Sequence, residues 1–200
     1  MAQASAQGLV QDRYLSSSID LEFQLVARIA GGDQHAIVEL YGQYQRPLFS
    51  YLRLLTKDNQ LAEEILQDTM LAVWTGAHRF RAQSSVRGWL YGIARRQAHN
   101  AMRRTRPPIA NESALANLHS SEPPPEATAL LNQGVDDLVL GILRLSPALG
   151  ETLMLVVVYD LSYEETGNVL GIPIGTVKSR LSNARNMLRP LLDTANGEQP

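Results

Sequence analysis

Residues 161–188 read LSYEETGNVLGIPIGTVKSRLSNARNML, and this stretch decides the fold. Ser162 and Glu165 stand at the S-x-x-E spacing of a capping box, in which hydroxyl and carboxylate each satisfy an orphan backbone N–H. A short helix therefore opens at Ser162 and ends at Gly171. The turn Gly171-Ile172-Pro173 leads into a second helix running through Leu188. Ile174, Val177, Leu181, Ala184 and Leu188 recur at steps of three or four and form its buried stripe. Helix, short glycine-containing turn, helix is the spacing of a helix-turn-helix, whose second helix enters the DNA major groove. With the stripe inward, Thr176, Lys178, Ser179, Arg180, Ser182, Asn183 and Arg185 face out. Lys donates to guanine, Asn pairs bidentately with adenine, and Ser adapts to either. Thr176, Arg180 and Arg185 suit phosphates, which set register rather than sequence preference. The plainer alternative is a helical hairpin with a solvated face. Gly171 and the absence of any acid from Pro173 to Arg189 favour DNA.

Working outward, all other periodic segments are also helical, and no convincing strand is present. Leu138, Ile142 and Leu145 mark one helix, and Pro147 starts another that runs through Leu153, Val156 and Val157 to Tyr159. Upstream, Pro123-Pro124-Pro125 and the lack of a sustained period make residues 107–134 a flexible linker. Before it lies a four-helix unit. Leu21, Leu25, Val26 and Ile29 share a face that Gly31-Gly32 terminates. Asp33 caps a second helix with Ile37, Leu40, Tyr41, Tyr44, Leu48, Tyr51, Leu52 and Leu55 as its stripe, and Pro47 kinks or breaks it. Asp58 or Asn59 caps a third helix, in which Leu61, Ile65, Thr69 or Met70, and Val73 repeat. After a loop from Phe80 to Ser84, Ser84 or Ser85 opens a fourth. Its inner face would be Val86, Trp89, Leu90, Ile93 and Gln97, and its outer face Arg87, Tyr91, Arg95, His99 and Met102. The expected fold is all-α, with two small helical domains, 19–106 and 135–191, joined by the 107–134 linker and preceded by a disordered tail at 1–18.

Charge is segregated along the chain. The net charge is −2, yet Arg79 to Arg106 holds eight arginines and no acid, while Glu112 to Asp137 holds five acids and no base. Nucleic acid responds to the local patch rather than to the average. The chain has no cysteine, which excludes disulfides, zinc–thiolate sites and cysteine nucleophiles. His35, His78, His99 and His119 stand at no metal-ligand spacing, so no metal is expected. No glycine-rich phosphate loop and no nucleophile elbow occurs, so neither a cofactor nor an enzymatic activity is expected. Residues 1–18 lack the basic and apolar regions of a signal peptide, and no run nears the roughly 18 apolar residues of a membrane span. The expectation is a cytoplasmic protein with no membrane insertion.

Leu161-Ser162-Tyr163-Glu164-Glu165 with Gly171-Ile172-Pro173-Ile174-Gly175-Thr176-Val177-Lys178-Ser179-Arg180-Leu181 resembles the −35-reading domain of bacterial sigma factors. The likeness is greatest to the extracytoplasmic function (ECF) group of the sigma-70 superfamily. Ala62-Glu63-Glu64-Ile65-Leu66-Gln67-Asp68-Thr69 and Trp74 resemble that family's polymerase-binding helix. Phe80-Arg81, Ser84-Ser85 and Trp89-Leu90-Tyr91-Gly92-Ile93-Ala94-Arg95 resemble its −10 reader. The resemblance covers about residues 19–191, in the family's order. Gly167 stands where the family usually has alanine and keeps the two motif helices close.

The resemblance implies that Glu63, Glu64, Gln67 and Asp68 face core RNA polymerase. It implies that Phe80, Arg81, Ser84 and Ser85 hold a −10 base flipped from the non-template strand. Tyr91 becomes the stacking platform, and Arg95, Arg96, Asn100, Arg103 and Arg104 line the strand's path. Thr176, Lys178, Ser179, Arg180, Ser182, Asn183 and Arg185 would read −35 DNA. The implied partners are core polymerase, promoter DNA and an anti-sigma factor. A stand-alone helix-turn-helix regulator is the alternative, but it leaves the acidic helix and the arginine-rich helix without a role. The two promoter elements lie roughly 70 Å apart. A relaxed linker of this length spans only about 30 Å and full extension about 90 Å, so it must be drawn out when both domains hold DNA. Its acidity would let it mimic nucleic acid in a basic channel, or it is plain disordered sequence.

Overall fold

The computed structural model describes residues 20–105 and 145–197, with side chains at 20–104 and 145–189. The tail at 1–18, the linker at 107–134 and the helix through Leu138 and Ile142 lie outside the described residues. Among the described residues every regular element is helical. The chain divides into two compact units, Met1–Arg104 and Thr105–Pro200.

The first unit starts with α1 (20–30), which stops where Gly32 takes a φ of 86°. Asp33 then caps α2 (Gln34–Thr56), accepting from the backbone N–H groups of His35 at 2.9 Å and Ala36 at 3.3 Å. Arg28 bonds to Asp33 at 2.8 Å and to Glu39 at 3.1 Å, which ties α1 to α2 and holds the Asp33 carboxyl below its ordinary range. Pro47 does not break the helix: α2 runs through it for 23 residues. Pro47 has no N–H to donate to the carbonyl of Gln43, four residues earlier, and Gln43 is an exposed residue. Asp58, rather than Asn59, caps α3 (Asn59–Gly76) by accepting from Leu61 N–H at 3.1 Å. Thr69, rather than Met70, is buried, and its hydroxyl donates to the Ile65 carbonyl at 2.7 Å. A 3₁₀ turn, Ala77–Arg79, leads to the 80–85 loop and then to α4 (Val86–Thr105). Ser85, rather than Ser84, caps α4 through a 3.0 Å bond from Gly88 N–H.

The inner face of α4 differs from the sequence expectation by a rotation of about one residue. Val86, Leu90, Tyr91, Ala94 and Ala98 are buried, whereas Trp89, Ile93 and Gln97 are only half-buried. Two alanines at 94 and 98 let the neighbouring helices approach closely, and so small a side chain gives no apolar signal in a sequence. Tyr91 packs edge-on against Tyr51, with ring centroids 5.1 Å apart. Leu21, at the first turn of α1, is exposed rather than on the buried face.

The second unit holds α5 (Pro147–Leu153), a π turn (Met154–Val158), α6 (Tyr163–Leu170) and α7 (Ile174–Gly197). Proline at the first position of α5 fits, since the N–H it lacks would have no helical partner. The capping box on α6 is complete: Ser162 Oγ accepts from Glu165 N–H at 3.2 Å, and Glu165 accepts from Ser162 N–H at 2.9 Å. Gly171 ends α6 at a φ of 68°. Gly167 permits the close approach that its position implied, because a Cβ there would lie 2.9 Å from the Ile172 carbonyl oxygen. Val177, Leu181, Ala184 and Leu188 pack with Leu145 and Leu153 in one core. Ile174, expected in that stripe, is 43% exposed. The last helix also continues past Leu188 to Gly197.

Candidate nucleic-acid interface

On α7 the buried stripe fixes the orientation of everything else. With Val177, Leu181, Ala184 and Leu188 inward, Lys178, Ser179, Ser182, Asn183 and Arg185 are exposed, and Thr176 and Arg180 are half-buried at the margins. All seven residues expected on the outer face are therefore on it. Ser179 Oγ donates to the Thr176 carbonyl at 3.0 Å and so keeps its lone pairs for a second partner. Asn186 and Met187 extend the exposed surface and were not singled out from the sequence. The capping box and Gly171 fix the angle at which this helix leaves the turn. The face offers cationic and amide donors with no carboxylate to compete for them.

On α3 the same logic produces an acidic face. Ala62, Ile65, Leu66, Thr69 and Val73 point inward, which leaves Glu63, Glu64, Gln67 and Asp68 exposed together. Spacings of one, four and five place these four on one side of the helix. Leu71, 62% exposed, adds an apolar neighbour that the sequence analysis did not single out.

The 80–85 loop and α4 form the third surface. Phe80 is half-buried: its ring stacks on Phe23 at 5.7 Å and leans on Trp89 at 4.9 Å. It anchors the loop rather than presenting an open face. Arg81, Ala82 and Gln83 are exposed at the loop tip, and Ala82 holds a left-handed φ of 53°. Gln83 was not singled out by sequence, although its place in the loop was the available signal. Ser84 is half-buried and Ser85 is the helix cap. Tyr91 is the correction at this site. Expected to face out as a stacking platform, it is 1% exposed and belongs to the core against Tyr51. A tyrosine body is apolar enough to fill a core, so its hydroxyl misleads when the polar face is drawn from residue type. Arg96, Arg103 and Arg104 are exposed, and Arg95 and Asn100 are half-buried. Residues 96, 100, 103 and 104 fall on one stripe along the helix. Asn100 orders it, since its carbonyl accepts from Arg104 Nε at 3.4 Å. Planar guanidinium groups of this kind suit bidentate hydrogen bonding to phosphate.

Beside this surface, Tyr44 donates a hydrogen bond to Glu22. Burial first, and the Glu22 carboxylate second, hold its phenol above the ordinary range, while Arg87 acts in the opposite direction. Among the described residues no group of three or more potential ligands could hold a metal ion, and no helix is long and apolar enough to cross a membrane.

Comparison with known proteins fits this geometry. Residues 40–107 match Sigma-70 region 2, and residues 136–188 match Sigma-70, region 4. The chain is 30% identical over 173 residues to the ECF RNA polymerase sigma factor SigM of Mycobacterium tuberculosis, covering 86% of this chain and 85% of that protein. It is 30% identical over 190 residues to the RNA polymerase sigma-H factor of Pseudomonas aeruginosa, covering 86% and 96%. Among solved structures, it resembles the sigma factor RpoE of Bartonella quintana, crystallised with the anti-sigma factor NepR. That likeness has a TM-score of 0.56 and 26% identity over 78% of this chain and 97% of the other. CnrH, solved in complex with the cytosolic domain of CnrY, shares the fold at a TM-score of 0.60 and 22% identity, covering 86% and 97%. Two such regions in one chain, in this order, set it apart from a stand-alone helix-turn-helix regulator. The chain belongs to the ECF RNA polymerase sigma factors, initiation factors that direct the polymerase to promoters.

Proposed function

We propose that three surfaces of this chain divide the work of initiation. The acidic face of α3, Glu63, Glu64, Gln67 and Asp68, docks on core RNA polymerase. The loop of Phe80, Arg81, Ser84 and Ser85 receives an unpaired −10 base, with Phe80 as the loop's anchor. Arg95, Arg96, Asn100, Arg103 and Arg104 carry the strand onward. Thr176, Lys178, Ser179, Arg180, Ser182, Asn183 and Arg185 read the −35 duplex. The single observation that carries this reading is the acid-free outer face of α7 in a chain that also bears an acidic α3 and an arginine-rich α4. Unstacking a base costs a few kcal/mol, and a stacking partner returns about 1–3 kcal/mol per base. With Tyr91 buried, the exposed Arg81 guanidinium is the plane left to do this.

The domains so used are 19–106 and 135–191, joined by the acidic stretch 107–134. The chain acts in the cytoplasm and performs no covalent chemistry of its own. An anti-sigma factor covers one or more of these surfaces, as the structural relatives solved with CnrY and NepR favour. Run-off transcription with purified core polymerase tests the whole: promoter-dependent transcripts require both proteins, and their absence at every promoter bound in the cell rejects it. Lys178→Ala and Asn183→Ala should each flatten −35 preference by about 1–3 kcal/mol while core association stays unchanged. Loss of core association in either variant would overturn the division of roles.

A further inference from the structure

The 80–85 loop is held in place by a helix distant in sequence. Phe80, at the loop's start, has its ring between Phe23 of α1 and Trp89 of α4. The preceding residue of α1, Glu22, accepts the hydrogen bond from Tyr44 of α2. Arg87, in the first turn of α4, acts on that same phenol. Two successive residues of α1 thus make contacts of different kinds: Phe23 holds the start of the loop by a ring stack, and Glu22 ties α1 to α2 through Tyr44. Within the loop Ala82 holds a φ of 53°, a conformation that a residue with a Cβ keeps only when its surroundings impose it. The exposed tip, Arg81 to Gln83, is therefore presented in a shape that depends on the anchor behind it. Residues 22 and 23 precede residue 40, where the match to region 2 begins.

We propose that Phe23 is a positioning residue for promoter opening: by stacking on Phe80 it holds the 80–85 loop in the conformation that receives the unpaired −10 base. This rests on the −10 role proposed above for that loop. Phe23 touches no DNA in this scheme and acts through Phe80. It sets how much of the base-capture geometry exists before the strand arrives, so its loss falls on melting rather than on docking or −35 recognition.

The test uses holoenzyme assembled from core polymerase and the full chain. Phe23→Leu keeps an apolar side chain but removes the ring, and Phe23→Tyr keeps the ring. On an intact duplex promoter, −10 opening read by permanganate reactivity should fall about 3- to 10-fold in Phe23→Leu, the worth of an aromatic pair, and return in Phe23→Tyr. On the same promoter pre-opened across the −10 element, the deficit should shrink to less than about twofold, since the cost of unpairing has been removed. Core association and −35 duplex affinity should be unchanged, which also reports that the variant folds. Equal loss on both templates, or full opening of the duplex by Phe23→Leu, overturns the proposal. Wild-type protein that opens no promoter would instead sink the −10 role itself, and the proposal with it. If Phe23→Leu fails to associate with core, Phe23→Met replaces it. This variant also lacks the ring but fills more of its space, and the same preference for the pre-opened template is expected; its absence overturns the proposal.

Discussion

Gly171 sets the direction in which the reading helix leaves the turn. Its φ is 68°, and a Cβ there would meet nothing within 4 Å, so substitution is opposed by backbone conformation alone. Gly171→Ala should cost about 1–2 kcal/mol, and Gly171→Asn roughly half of that, because asparagine tolerates the left-handed region. Thermal unfolding of the full chain checks both. Gly167 is the opposite kind of glycine, limited by the Ile172 carbonyl rather than by φ. Tyr159 carries a pH signature. Burial pushes its phenol up to about 12 from an ordinary 10.0, so the folded state favours the neutral form. The associated stability is complete below the unfolded value and is lost as pH rises from about 10 to about 12. Urea midpoints across that range should fall less for Tyr159→Phe than for the wild type. At this scale the sequence was readable wherever a residue's task is local. Ser162, Asp33 and Gly171 do what their types dictate. Tyr91 and Phe80 do not, because only a neighbouring helix decides whether an aromatic ring lies inside.

Among the elements, α3 was read nearly in full, with Ile65, Thr69 and Val73 buried as expected but Leu61 half-buried and Leu66 missed, and α4 on neither face in full. The difference lies in the side chains that face inward. In α3 the inner positions include Ile65, Leu66 and Val73, which stand out against four polar neighbours. In α4 they include Ala94 and Ala98, so the apolar period is nearly silent and the larger Trp89 and Ile93 draw the stripe to the wrong side. The exposed face of α3 gives an element-scale expectation. Glu64→Lys with Asp68→Lys should leave thermal stability within about 0.5 kcal/mol, since neither side chain is buried. The same pair should weaken association with core polymerase at least about tenfold, measured by titration of labelled chain with core enzyme. Unchanged association would reduce the face to a solvated helix surface.

For the whole molecule, a net charge of −2 conceals surfaces of opposite sign. Contacts with a phosphate chain release counterions, so affinity falls with salt at about 0.7 per phosphate neutralised on a single strand. Replacing Arg103 and Arg104 together by glutamine should therefore lower the salt slope of holoenzyme binding to a single-stranded −10 template by about 1.4. A slope that does not move would remove α4 from the strand's path. Sequence alone determined that the chain is helical in two units, that α7 leaves a glycine turn with its cationic face outward, and that acidic α3 precedes arginine-rich α4. Capping and periodicity act over a turn or two of chain, and so they are written locally. Tertiary structure alone decided that Tyr91 fills the core, that Phe80 is held by α1, and that Leu21 and Ile174 are exposed. Burial is settled by which helix approaches and how closely, and that distance is a property of pairs of elements, absent from the pattern of either one.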